Sequence, residues 1–266
     1  MMVTTAQADG PAVPHPASPA ATAEPNLRRT IHEMLSGIEA PGGRIDEILA
    51  GRRLGATWLC LCAVMIVGAA SYGAVCGMWS GARLSVYAAI KLPLVLLLTS
   101  ALTVVLSWLV AAVLGLPLRF ARVGVLTFLP LAAGALLLAS LAPVAVLFTL
   151  AAPAPDETAR TAHNLLYLMH TAFVGSCGLA GTHILWRIMQ RLPAPRRTLR
   201  AVYLAWVLAY ATVGGEVAWG LRPFVGSIYQ PVVFLRADAL EGNVYEFVFT
   251  DIIPHLLHAS RQEEPR

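Results

Sequence analysis

From Leu54 onward the chain alternates between long apolar runs and short basic connectors. Leu54 to Ala82 contains no charged residue, and neither does Leu92 to Leu118. A third run extends from Val123 to Pro155, a fourth from Thr161 to Trp186, and a fifth from Ala201 to Leu221, interrupted only by Glu216. A helix rising ~1.5 Å per residue needs about 20 residues to cross a ~30 Å hydrocarbon core, and every run reaches that length. Pro93, Pro130 and Pro143 fall in or near the runs. Membrane helices tolerate them when neighbouring helices satisfy the freed carbonyls. The pattern predicts an all-α, polytopic membrane bundle of about five transmembrane helices over residues 54–221.

The flanks read differently. Residues 1–26 are rich in Ala, Pro and Thr, with prolines at 11, 14, 16, 19 and 25 and no apolar period. This composition predicts a disordered cytoplasmic tail. It lacks a charged segment followed by an apolar one, as a signal peptide requires, so the first apolar helix is expected to target the chain. Residues 27–53 are mixed. Leu27, Ile31, Met34, Leu35 and Ile38 recur at helical spacing, and Pro41-Gly42-Gly43 breaks the pattern. Ile45, Ile48 and Leu49 start a second short amphipathic piece that ends at Arg52-Arg53. Such a juxtamembrane segment lies along the membrane surface or docks a soluble partner. Residues 222–266 hold apolar pieces too short to span, which predicts an extramembranous cap or an interfacial helix.

Composition strengthens the membrane reading. The chain is 57% hydrophobic and 13% charged, against about 25% charged in soluble domains. The net charge of +4 and the pI near 9.1 would suggest nucleic acid if the basic residues clustered on one soluble face. Here 18 arginines and the single Lys91 sit between apolar runs, where they act as topology signals. With the N-terminus inside, twelve of them lie on the inner side, from Arg28 to Arg200; Arg83, Lys91 and Arg160 lie in the outer loops, and Arg222, Arg236, Arg261 and Arg266 lie in an outer C-terminal segment. The positive-inside rule then predicts a cytoplasmic N-terminus and an outer C-terminus. The dominance of Ala, Leu and Arg points to a GC-rich bacterial genome, and so to a bacterial inner membrane. The four cysteines all lie in apolar runs without metal-ligand spacing, as small buried hydrophobes do.

Candidate chemistry is sparse. Glu216 lies roughly 8–9 Å inside the end of the fifth helix. There a carboxylate must be neutral or paired. Arg222 is the nearest cation, and a turn at Pro223 could fold it back. The pair is either a proton or cation site or an interfacial structural contact. His163 and His170, seven apart, share one helix face, which suits polar packing or, less readily, ligation; His183 lies in the same run. Asp251, His255 and His258 form a weak metal-like spacing. Ala172, Ser176 and Ala180 recur at intervals of four beside Gly175, Gly178 and Gly181, and Gly214, Gly215 and Ala218 offer a second small surface. Small residues let helices approach closely, within a chain or between chains. Phosphate-loop, dinucleotide, zinc-protease and nucleophile-elbow patterns do not occur. No catalytic residue, metal site or cofactor is therefore expected, and the chain is expected not to be an enzyme.

Trp219-Gly220-Leu221-Arg222-Pro223-Phe224-Val225-Gly226 reads as a helix exit, followed by Phe234-Leu235-Arg236 and preceded far upstream by Lys91-Leu92-Pro93-Leu94. In these motifs, over roughly residues 55 to 250, the chain resembles a family of uncharacterised bacterial polytopic membrane proteins with a WxLRPFxG signature, some of which carry an actin-binding WH2 label. Its layout also resembles the Yip1 group of membrane-trafficking proteins. The resemblance implies a multi-pass membrane protein and no established activity. The expected function is a scaffold or accessory subunit of a membrane complex, with the lipid bilayer, other proteins or further copies of itself as partners, and no nucleic acid. The alternative is a small transporter or channel that uses Glu216 and the histidines.

Overall fold

The computed structural model describes residues 44–155, 159–226, 232–236, 239 and 241–247. The tail at 1–26, the periodic stretch at 27–38 and the Asp251, His255, His258 group lie outside the described residues. The described chain is helical: α1 (Arg44–Leu49), α2 (Leu54–Met78), α3 (Ala82–Val113), α4 (Phe120–Ala151), α5 (Arg160–Met189), α6 (Arg196–Gly220) and α7 (Val244–Phe247). Five of these, α2 to α6, are long and apolar enough to cross a bilayer. The fold is an all-α bundle, and the chain is a multi-pass membrane protein.

The second span begins earlier than its uncharged run. Trp79, Ser80 and Gly81 join α2 to α3 in three residues, with Gly81 at φ 105°. That φ lies in the left-handed region, where glycine carries no steric penalty. Lys91 therefore sits inside α3, about 14 Å along the helix, and not in a connecting loop. The uncharged run starts ten residues later, at Leu92, because it ends at any charge, and this helix carries both Arg83 and Lys91.

Close approach of backbones organises the packing. In α2, a Cβ at Gly73 would run into the carbonyl of Ala88, and one at Gly77 into that of Leu84. These two glycines, spaced as GxxxG, seat α2 against the antiparallel α3. On another side, a Cβ at Gly68 would lie 2.7 Å from the Ala135 carbonyl, which brings α2 against α4. Gly181 approaches the Pro130 carbonyl and joins α5 to α4. Helix α6 runs antiparallel along α3: the Trp206 indole donates to the Ser107 carbonyl at 2.9 Å, and Gly214 meets Thr99. The Tyr210 hydroxyl, buried as well, reaches the Thr127 carbonyl of α4 at 3.0 Å. Helices α5 and α6 barely touch. Ile45 and Ile48 of α1 dock into the same core as Leu61, Met65, Leu126 and Leu185.

The outer surface is apolar. Val67, Leu147, Leu150, Leu179 and Leu208 are exposed on several helices, as a lipid-facing band requires. Beyond α6, the Tyr245 hydroxyl donates to the Ala211 carbonyl at 3.1 Å. Ala211 lies nine residues before the end of α6, so this part of the C-terminal segment returns beside the helix. The bundle end nearest α1 is called proximal below, and the opposite end distal.

Candidate functional site

Lys91 is fully buried, with 0% of its surface exposed. An ammonium group at this depth costs several kcal/mol unless it is paired or solvated by protein dipoles. Its Nζ donates to the carbonyl of Pro223 at 3.1 Å. It also lies 5.2 Å from the ring centroid of Phe234 and 5.9 Å from that of Phe224, within the range of cation–π attraction. The aromatic wall continues outward. Tyr87 meets Phe234 edge-on at 5.3 Å, and the Arg83 Nε donates to the Tyr87 hydroxyl at 3.1 Å.

Two further side chains hold the same segment. Ser80, in the α2–α3 turn, donates to the Val225 carbonyl at 2.9 Å. His163, in the first turn of α5, donates from Nε2 to the Gly226 carbonyl at 3.2 Å. A carbonyl only accepts, so this contact requires the proton on Nε2. Trp79 braces the histidine, with ring centroids 5.5 Å apart, and its indole donates to the Pro153 carbonyl at 2.9 Å. Gly226 is required twice over: its φ is 90°, and a Cβ there would strike Ser80. Side chains from α3, α5 and the α2–α3 turn thus capture the carbonyls of Pro223, Val225 and Gly226. The result is a clasp across the distal end, and it ties the segment after α6 to α3, to the α2–α3 turn and to α5, a helix that α6 itself barely touches. The Lys91–Leu94 and Trp219–Gly226 stretches, far apart in sequence, come together here.

The expected polar residues divide among separate places. Arg222 lies over Trp219, its guanidinium carbon 3.8 Å from the ring centroid, and Nη1 donates to the Trp219 carbonyl at 3.0 Å. It turns to that indole instead of folding back onto Glu216. Glu216 is half-buried on α6, about 200° around the helix from Gly214 and its contact with Thr99. His163 and His170 share the face of α5 that meets α2, as their spacing requires, but occupy distinct environments. The Nδ1 of His170 lies 2.9 Å from the Tyr72 hydroxyl and 3.5 Å from the Cys76 thiol. Two donors at one ring nitrogen suit an unprotonated Nδ1. Among the described residues, no three His, Cys, Asp or Glu side chains form a metal-binding group.

The small-residue face of α5 points away from the bundle. Ala172, Gly175, Ser176 and Gly178 are exposed and Ala180 is half-buried. Nothing lies within 4 Å of a Cβ built at Gly175 or Gly178. On α6, Gly214 packs on Thr99 of α3, while Gly215 is half-buried. The two small surfaces therefore do not meet within one chain. Sequence reasoning missed Lys91, Ser80 and the Gly73–Gly77 pair. The GxxxG spacing and the isolation of a single lysine among arginines were the available signals. No family model, curated protein or solved structure matches the chain.

Proposed function

We propose that the protein is a non-enzymatic scaffold or accessory subunit of a bacterial inner-membrane complex, with its N-terminus on the cytoplasmic side. The observation that carries this reading is the outward face of α5. Comparable glycine positions at Gly68, Gly73, Gly77 and Gly181 are each filled by a neighbouring backbone, whereas Gly175 and Gly178 face open space. Ala172, Gly175 and Ser176 provide a surface on which a helix of a second subunit approaches closely. The orientation rests on charge. Arg52, Arg53, Arg119, Arg122, Arg187, Arg191, Arg196, Arg197 and Arg200 gather at the proximal end, against Arg83, Arg160, Arg222 and Arg236 at the distal end. The resemblance to the WxLRPFxG proteins fits the same reading, because the residues that carry it build the clasp.

A transporter or channel is the second reading. It is favoured by a polar stripe on α3: Thr99, Thr103 and Ser107 are buried at intervals of four. The Thr99 and Ser107 hydroxyls have no partner among the described residues.

Two substitutions separate the readings. The full chain is extracted from native membranes in mild detergent, and the mass of the complex is measured by light scattering. A scaffold loses its assembly with Ser176→Leu and keeps it with Glu216→Gln. A solitary wild-type chain, together with ion flux abolished by Glu216→Gln, would replace the scaffold with the transporter.

A further inference from the structure

The proximal end carries an apolar groove of about 540 Å³ between α2, α3 and α4, within the ~300–1,000 Å³ typical of ligand sites. Its walls include Leu54 and Trp58 of α2, Val104 of α3, and Phe120, Gly124 and Phe128 of α4. Glycines at positions 55 and 124 open it, since nothing lies within 4 Å of a Cβ at Gly55 and a Cβ at Gly124 would meet only Val104. From Phe120 to Phe128 the groove descends roughly 12 Å, close to the depth of one leaflet of a ~30 Å core. Trp58 and Phe128 meet there at a tilt of 58°, with ring centroids 5.3 Å apart. Trp108 and Phe120 meet edge-on at 5.9 Å beside it, at the level where aromatic belts form.

The end of the bundle at which the groove lies is basic, with Arg53 next to the lining residue Leu54 and Arg119 next to the lining residue Phe120. Arg52 and Arg53 precede α2, and Arg119 precedes α4 with Arg122 in its first turn. Helices α2 and α4 are parallel, so these residues share one end. Arg122 reaches across to the α1–α2 turn, where its Nη2 lies 3.2 Å from a Cβ built at Gly51. Its Nε is buried, without a hydrogen-bond partner among the described residues. Neither Arg53 nor Arg119 closes its helix N-terminus with a side-chain hydrogen bond, so the first-turn amides add positive potential at the same place.

We infer that this is a binding site for an anionic glycerophospholipid of the adjoining leaflet. One acyl chain occupies the groove between Trp58, Val104 and Phe128, and the headgroup phosphate meets Arg53, Arg119 and Arg122. Charge complementarity selects the lipid: an apolar groove alone accepts any acyl chain, whereas a rim of arginines on the face of a membrane helix bundle favours an anionic headgroup. The site is separate from both the clasp and the outward face of α5.

Native mass spectrometry of the full chain tests this, with phosphatidylglycerol and phosphatidylcholine of identical acyl chains supplied in equal amounts. The site predicts retention of one phosphatidylglycerol in preference to phosphatidylcholine. Arg122→Gln lowers that preference about fivefold, the effect of about one basic residue near the surface, and leaves phosphatidylcholine retention unchanged. Gly55→Leu fills the groove and reduces retention of both lipids. Circular dichroism confirms that each variant is folded. Arg119→Gln, at an exposed position, replaces Arg122→Gln if the latter does not fold. Equal retention of the two lipids, or a preference that survives the arginine change, would overturn the headgroup assignment. Unaltered retention in Gly55→Leu would overturn the groove.

Discussion

Helices α2 and α5 are both rich in glycine and both long enough to span the bilayer, yet they use glycine in opposite ways. In α2, Gly68, Gly73 and Gly77 are pressed against backbone atoms of α3 and α4, and Met65, Ala69 and Tyr72 beside them are fully buried. In α5 the packed face is Leu166, His170, Cys177, Gly181, Ile184 and Leu185, and Gly175 and Gly178 lie on the other side in open space. Lipid chains are as apolar as leucine, so membrane helices gain little from hydrophobicity alone and depend on close contact. A glycine that meets a backbone has a role inside the chain. A set of small residues that meets nothing inside the chain is available to a second one.

This contrast breaks most sharply at Gly77. Gly77→Val places a branched side chain against the Leu84 carbonyl, and overpacking of this kind costs about 3 kcal/mol. Titration from native micelles into denaturing detergent should show a large loss of folded protein. A variant with wild-type resistance would mean that α2 and α3 are not joined by backbone contact at Gly77.

Removing the clasp has the next largest effect. Lys91→Ala deletes a charged hydrogen bond and two ring contacts, and leaves the Pro223 carbonyl without its donor. The expected loss is about 2 kcal/mol. Brief protease treatment of the variant should cut the chain after Gly220 faster than wild type. Equal cleavage rates would show that Lys91 does not hold the segment.

The buried pair beneath the clasp matters less. Tyr72→Phe removes the hydroxyl facing His170, and polar contacts between membrane helices average about 0.6 kcal/mol. The same detergent titration should register a small shift, while His170→Ala should lose more, because it also removes the Cys76 contact and empties buried volume. In the double variant the Tyr72→Phe loss should largely disappear. Fully additive losses would show that the hydroxyl and the ring do not interact. Gly175→Val is the smallest effect on the isolated chain, within about 0.5 kcal/mol, because a branched side chain there enters open space. A large loss would place α5 in a different rotation.

The five spans were legible because uncharged runs of this length have few alternatives to a membrane. The shared face of His163 and His170 was legible too, since seven residues return a helix to nearly the same angle. What the pattern could not carry was the environment at each end of a span. A lysine reads as a membrane boundary, and only the fold brings the Pro223 carbonyl and two phenylalanine rings to Lys91. The same holds for Arg222, which lies over Trp219, three residues back. A carboxylate six residues back looked equally plausible in one dimension. The small residues of α5 showed that a helix face exists and left open whether that face is used within the chain. The working glycine pair of α2, at positions 73 and 77, carries the same kind of signal in a shorter stripe.

The central claim concerns what covers the outward face of α5 in the membrane. A photo-activated cross-linker placed at position 176, with a control at the exposed Leu204 of α6, reads this directly in native membranes. The scaffold account predicts a discrete protein adduct from position 176 and predominantly lipid adducts from position 204. Lipid adducts alone from both positions would contradict it.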